Sequence, residues 1–296
     1  VRKGLNGLRR NLSLINAGAV EVPYSYTFPT GVALQCDSHC NAINVGVISG
    51  ESNEDLFAWG ITQNDGGTYP ATGSPSGLKN SGSCSVQSIN GNATSTCHLK
   101  LFAYTGYDIG SVTVGSITGI GSSISGDTSS GASGGTMTLL DVRNINVQPR
   151  ANGQGGINFS LAVTTMRLAN IIDNLVAGNY IFQNTSAITN LYIENLNSTA
   201  KVTDQKTNIA ATITNLYLKN CDLGAGAAGS VINLGAEVTN LYCDGVAFTG
   251  SASGAGDLIQ CGNTNGIVKH LFVSNSKMNN GRYWYVGNVN TTGNTD

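Results

Sequence analysis

Apolar and polar residues alternate with a period of two over short stretches of this chain, and the same stretch recurs at a nearly fixed interval. In Ile188-Thr189-Asn190-Leu191-Tyr192-Ile193-Glu194-Asn195, Leu191 and Ile193 alternate with Tyr192 and Glu194, and Leu196 extends the apolar set. A period of two predicts a half-buried strand rather than a helix. The phrase returns at 213–220, 238–245 and 268–275, stands upstream at 163–170 and 137–144, and has a degenerate copy at 109–116. A second set of short apolar runs falls between the copies: 157–159, 180–182, 231–234, 258–261 and 283–286. Between runs lie Gly, Asn, Ser and Thr, which accept left-handed backbone angles or form Asx turns. No stretch carries a convincing 3.6 period, so helix is expected to be nearly absent. Short strands repeating at one fixed step predict a solenoid in which each repeat is one coil of about 25 residues.

Equal coils place the same phrase position of successive repeats about 4.8 Å apart, so like residues form columns. The inward column is Leu140, Met166, Leu191, Leu216, Leu241 and Leu271. Asn144, Asn170, Asn195, Asn220 and Asn275 end the phrase as a second column, interrupted by Gly245. Stacked Asn amides can bond along such a column, and Asn and Gly both accept the left-handed angles of a corner. On the outward side, Glu194, Lys219 and Asp244 alternate in sign, as do Asp141 and Arg167 one outward position earlier. Unlike charges opposite one another suit parallel, in-register stacking, so the charge pattern supports the register independently of hydrophobicity.

On the aliphatic stack, the Asn ladder and the coil length, the chain resembles the right-handed parallel β-helix proteins of the pectate-lyase-like superfamily. The resemblance covers roughly 109–289. The expected fold class is all-β, with two parts. A right-handed single-stranded parallel β-helix with coils of about 25 residues occupies 106–296, and a small all-β N-terminal domain precedes it over 1–105. The N-terminal stretch lacks the phrase but carries apolar runs at 42–48, 56–61 and 99–104 that read as strands. The Ser/Gly-rich stretch 119–135 reads as an insertion or long loop between the first two coils.

Composition narrows the partners. Charged residues make up 11% of the chain and the net charge is −2, against the basic faces that nucleic-acid binding requires. The one basic cluster, Arg2, Lys3, Arg9 and Arg10, reads as a solvated arm. No apolar run approaches the length of a membrane span, so no membrane insertion is expected. The first residue is Val1 and the last, Asp296, closes a polar tail, which fits a processed piece of something longer. Cys36 and Cys40, with Cys84 and Cys97, leave disulfides, a zinc site and free thiols all open. Their spacing is looser than structural zinc patterns, and no metal or cofactor is assigned. Cys221 and Cys243 fall in inward columns and read as small core residues. His39, His98 and His270 have no evident catalytic partner and read as structural.

The surface feature that invites function is an outward column of Tyr192, Tyr217, Tyr242 and Phe272, flanked by Asn190, Asn215, Asn240 and His270. Rings beside amides suit sugar faces and hydroxyls, but the same strip suits subunit packing or simple ring stacking along the sheet. Catalysis on a glycan needs paired carboxylates. Glu194 and Asp244 lie two coils, roughly 9.6 Å, apart by stacking geometry. Lys219 stands between them, which reads more as a charge ladder than as an acid pair. The superfamily resemblance extends to tailspikes and tail fibres of bacterial viruses. It implies a homotrimeric spike on the virion surface or outside the cell, joined to other virion proteins and engaging a host surface polysaccharide. Two alternatives stay open on the same scaffold: a polysaccharide depolymerase, hydrolase or lyase, and a secreted bacterial adhesin.

Overall fold

The computed structural model describes residues 15–22, 40–52, 56–61, 80–93, 97–128, 135–148, 156–173, 180–198, 207–224, 230–250, 257–261, 266–279 and 282–286. Every regular element among them is a strand, and the named strand pairs run parallel, so the chain is a parallel β-solenoid. The basic arm, Cys36 and His39 fall outside the described residues. By internal packing the chain forms two compact units: 1–143 with 158–164, and 144–157 with 165–296.

The second unit carries the clearest repeats. Ile188–Ser198, Ile213–Lys219, Glu237–Asp244 and Ile267–Ser274 pair in that order, phrase position on phrase position. Leu191 lies on Leu216, Leu241 and Leu271 in turn, and Tyr192 on Tyr217, Tyr242 and Phe272. Leu191, Leu216 and Leu241 are wholly buried, as the inward column requires. The coil then turns at Asn170, Asn195, Asn220 and Asn275, all with φ between 50° and 54°, and at Gly245 with φ 67°. Left-handed backbone is rare for residues with a Cβ, and Asn tolerates it because its amide bonds locally. The amides also link the corners: Asn195 Nδ2 donates to Asn170 Oδ1 at 2.8 Å, and Asn170 Nδ2 to Asn144 Oδ1 at 2.9 Å. Asn144 shares the ladder without sharing the left-handed backbone. Gly245 takes the same corner because glycine accepts its φ of 67° without strain.

After each corner the chain enters a short strand that the periodicity did not announce. Asn197 and Ser198 pair with Asp222–Gly224, followed by Ala247–Thr249 and Lys277–Asn279. The return sheet of this unit holds Phe182–Asn184, Thr207–Ile209, Ser230–Leu234, Asp257–Cys261 and Arg282–Val286. Thr207–Ile209 has a single apolar residue, too little for alternation to show. Its rung is set by Phe182 and Ile232 on either side of Thr207.

In the first unit, Ile15–Val22, Cys40–Ser52, Asn80–Ala93, Ser111–Ile120 and Thr136–Val142 also pair in parallel succession. Ile43 lies on Cys84, Cys84 on Val112 and Val112 on Leu140, so the inward column persists. Its steps are unequal, the one from Ile43 to Cys84 being much the longest, and that hid these coils from a search for one fixed period. Residues on both sides of the 105/106 boundary expected from the sequence fall in this unit. A second sheet runs Phe57–Gly60, Cys97–Ala103, Ser122–Thr128. The stretch 119–135 is therefore not simply a loop: Ser122–Thr128 is a core rung, with Ile124 buried opposite Leu99. Its Ser and Gly content masked the strand because small residues fit where Phe159 crowds Gly126, whose added Cβ would meet the ring at 2.6 Å.

The cysteines sort by burial. Cys84 and Cys97 are buried and unbridged, which corrects the disulfide alternative for these two. Among the described residues, no three His, Cys, Asp or Glu side chains gather where a metal ion could be held. Cys221 and Cys243 are buried core thiols; withdrawal from water pushes them up to about 11 and about 12.

Candidate functional site

Residues at alternate positions of a strand share a face, so phrase positions three, five and seven put three columns on the outer face of the second unit. The first is Asn190, Asn215, Asn240 and His270. Asn215 Nδ2 donates to Asn190 Oδ1 at 2.9 Å and Asn240 Nδ2 to Asn215 Oδ1 at 2.8 Å, a second amide ladder beside the corner one. An amide has two N–H donors and an oxygen with two lone pairs, so Asn215 keeps a donor and an acceptor site beyond its ladder bonds. A third ladder crosses the return sheet, Asn233 Nδ2 to Asn208 Oδ1 at 3.1 Å.

The second column is aromatic. The rings of Tyr192, Tyr217, Tyr242 and Phe272 stack with centroids 4.4, 4.6 and 4.7 Å apart and planes within 9° of parallel. The repeat of the backbone forces this spacing, because a parallel in-register sheet gives each ring no other place to lie. Arg167, one rung before, sets its guanidinium 5.3 Å from the Tyr192 centroid as a cation–π cap. Each Tyr ring therefore spends both faces on its neighbours. What the stack leaves to face outward is a row of ring edges and phenol hydroxyls. Burial first, and the flanking phenols after it, raise the Tyr217 pKa, so its hydroxyl keeps its proton through the physiological range.

The third column is charged: Glu194 on Lys219 on Asp244 on Ser274. The sign alternation read from the sequence is present here. Asp244 is tied down by the next coil, its Oδ1 accepting from Ser274 Oγ and Asn275 Nδ2, both at 2.8 Å. Asn275 turns to Asp244 because Gly245 offers no amide to the ladder. These bonds, Asn275 first, hold the Asp244 pKa below the usual carboxylate range. A general acid needs the opposite shift. Glu194 is in register with Lys219 rather than with a second acid, so the weak catalytic candidates Glu194 and Asp244 stand in a charge ladder.

The other expected alternation does not survive. Asp141 is buried, not outward, and Arg143 pairs with it at 2.6 Å. Arg167 instead caps the aromatic column. It occupies phrase position five, the same as the tyrosines, and that shared position was the signal that marked it as a ring cap. His98 is buried and its Nε2 lies 2.9 Å from the Gly91 carbonyl, a structural role. His270 is exposed at the end of the amide column.

Two carboxylates clamp the last phrase coil to the one beneath. Asp244 does so through Ser274 and Asn275, and Glu237 through Lys269 at 2.9 Å, with Thr239 Oγ1 donating to the same oxygen. Glu237 is likewise held below its usual range, chiefly by the Lys269 bond. A carboxylate whose folded pKa is depressed adds stability above its unfolded pKa and loses it as pH falls through the folded value. We therefore expect amide protection factors in Ile267–Ser274 to be constant from neutral pH down to roughly pH 4 and to drop below it. Ile213–Lys219 should stay protected over the same range. An equal drop in both strands would contradict this assignment.

Searches against protein-family models, characterised proteins and solved structures return no match to this chain.

Proposed function

We propose that the protein is a non-catalytic, extracellular or virion-surface β-solenoid that attaches to a repeating host polysaccharide along its outer face. In this reading it acts as a spike or fibre component akin to bacteriophage tailspikes and tail fibres, assembled as a homotrimer with other virion proteins. The observation that carries the reading is the side-by-side repetition of amides and phenol hydroxyls at one rung spacing on a rigid sheet. A repeating glycan offers hydroxyls at regular intervals, and several weak hydrogen bonds in one register add up without any single deep pocket. Because the Tyr faces are stacked on one another, recognition runs through hydroxyl and amide edges rather than through sugar–ring stacking, Phe272 excepted. The commitment of Asp244 to Ser274 and Asn275 favours gripping over cutting.

The test is retention of the purified chain on immobilised capsular and lipopolysaccharide glycans. Tyr217→Ala removes the central phenol hydroxyl of the row, together with the two stacking contacts that hold Tyr192 and Tyr242 in place. Losing one hydrogen bond and loosening the row should weaken retention at least about tenfold, while the far-UV spectrum keeps its β signature. Release of shortened glycan by the parent chain, abolished in Glu194→Gln or Asp244→Asn, would establish the depolymerase instead. Unchanged retention in Tyr217→Ala would remove the strip from recognition.

A further inference from the structure

Within the second unit, each coil is covered by the next, and the cover is always the same phrase. Leu241 and Cys243 of one coil are buried beneath Leu271 and Val273 of the next, and Phe248 beneath Met278. At the last phrase coil the cover stops. Leu271 is 37% exposed, Phe272 50%, Val273 53% and Met278 38%, although Leu271, Val273 and Met278 continue columns that are closed to water one rung earlier. Among the described residues, Ile267–Ser274 pairs only with Glu237–Asp244, so its other edge offers unpaired backbone N–H and C=O groups. Natural edge strands are usually defended by lysine, proline or a bulge. From Leu271 to Ser274 this edge has neither lysine nor proline, and the one lysine in the strand, Lys269, is drawn down onto Glu237.

The repeated coil–coil contact states the chemistry of what fits such an edge: a parallel strand with aliphatic residues at phrase positions four and six. The chain contains such a strand with an edge of its own to offer. Ile15–Val22 pairs, among the described residues, only with Cys40–Ser52, in a register that sets Ile15 on Ile43 and Ala17 on Val45. Ile43 leads through Cys84 and Val112 to Leu140, which holds phrase position four, the position of Leu271. Ile15 is thus a position-four residue, Asn16 a position-five and Ala17 a position-six residue.

We propose that the Ile267–Ser274 edge is a strand-addition site whose occupant is the Ile15–Val22 strand of a second copy of this chain. Ile15 follows Leu271, Asn16 follows Phe272 and Ala17 follows Val273, extending the same parallel ladder from one molecule into the next. The contact is head-to-tail, between two different edges, so it grows by addition of further copies unless rotation closes a ring. It is independent of the lateral contact that a trimer needs.

Sedimentation velocity of the whole chain over a concentration series is the test. The parent chain should show mass rising with concentration. Val273→Lys and Ala17→Lys should each weaken that growth at least about a hundredfold, because the added ammonium would be trapped in a ladder that excludes water. Both positions lie at the proposed edges, so each variant should retain the parent's circular dichroism. The decisive arm is mixing. A chain blocked at its tail and one blocked at its head still own one intact edge apiece, so the two variants together should form a one-to-one pair that grows no further. Concentration-independent mass in the parent, growth unaffected by either lysine, or failure of the mixture to pair would each overturn the proposal. So would slow exchange, in a monomer, of those Leu271–Val273 amides that point away from Glu237–Asp244, since it would mean that a segment of the same chain covers the edge.

Discussion

Leu216→Asp should leave the second unit unfolded. Leu216 is wholly buried and lies between Leu191 and Leu241 in the inward column. Removing the leucine forfeits about 1.5–3 kcal/mol of transfer free energy. The carboxyl that replaces it has no donor in an aliphatic stack and costs several kcal/mol more, whether it stays charged or takes up a proton. Those terms reach or exceed the roughly 5–15 kcal/mol that holds a domain folded. A repeat array passes the damage to its neighbours, because each coil is stable only against the next. Circular dichroism should show a large loss of β signal, and hydrogen exchange should show no protection left in Ile213–Lys219 and Glu237–Asp244. Leu216→Met, which keeps volume and polarity, should shift stability by less than about 1.5 kcal/mol. A cooperative melt for the Asp variant near that of the parent would mean that Leu216 does not sit in a stacked core.

Trp59→Ala is the corresponding test of the first unit. Trp59 is wholly buried on Phe57–Gly60, opposite Leu101, and its Nε1 donates to the Ile109 carbonyl at 2.9 Å. Truncation opens a cavity worth about 3–5 kcal/mol and leaves that carbonyl without its donor, roughly 1–3 kcal/mol more where water cannot reach. The denaturation midpoint should fall accordingly, with amide protection lost across Cys97–Ala103. Trp59→Phe separates the two terms: it retains most of the ring volume and loses the N–H, so only the smaller penalty should appear. If Trp59→Phe and Trp59→Ala are equally mild, the indole is not the centre of this core.

The two variants also mark how unevenly the chain discloses its structure. Around Leu216 successive coils have one constant length, so identical residues fall on one another and the columns can be read from spacing alone. Around Trp59 the same ladder exists, but the step from Ile43 to Cys84 is more than half as long again, and no fixed period finds it. The strand at Ser122–Thr128 was obscured for a different reason: its residues are mostly Ser and Gly, Gly126 because Phe159 fills the space above it. The short strands after the corners, Asp222–Gly224, Ala247–Thr249 and Lys277–Asn279, are too brief for alternation to register.

The site divides in the same way. Columns of Tyr and Asn follow from position in the phrase, and so do the alternating charges of Glu194, Lys219 and Asp244. Whether a ring shows its face or its edge does not follow. That depends on the close ring separation, 4.4 Å between Tyr192 and Tyr217, which closes every interior face and converts a supposed stacking platform into a row of hydroxyls. Asp141 reads as exposed by parity, yet it is buried with Arg143 beside it.

The order of residues alone thus dictated the strand period, the coil length, the inward columns and the left-handed Asn corners, because each is a local rule repeated at a constant step. Which ring surfaces and which carboxylates remain open to a partner was settled by the folded coils. Those surfaces depend on side-chain orientation and on which neighbour each group bonds, which spacing in the chain does not record.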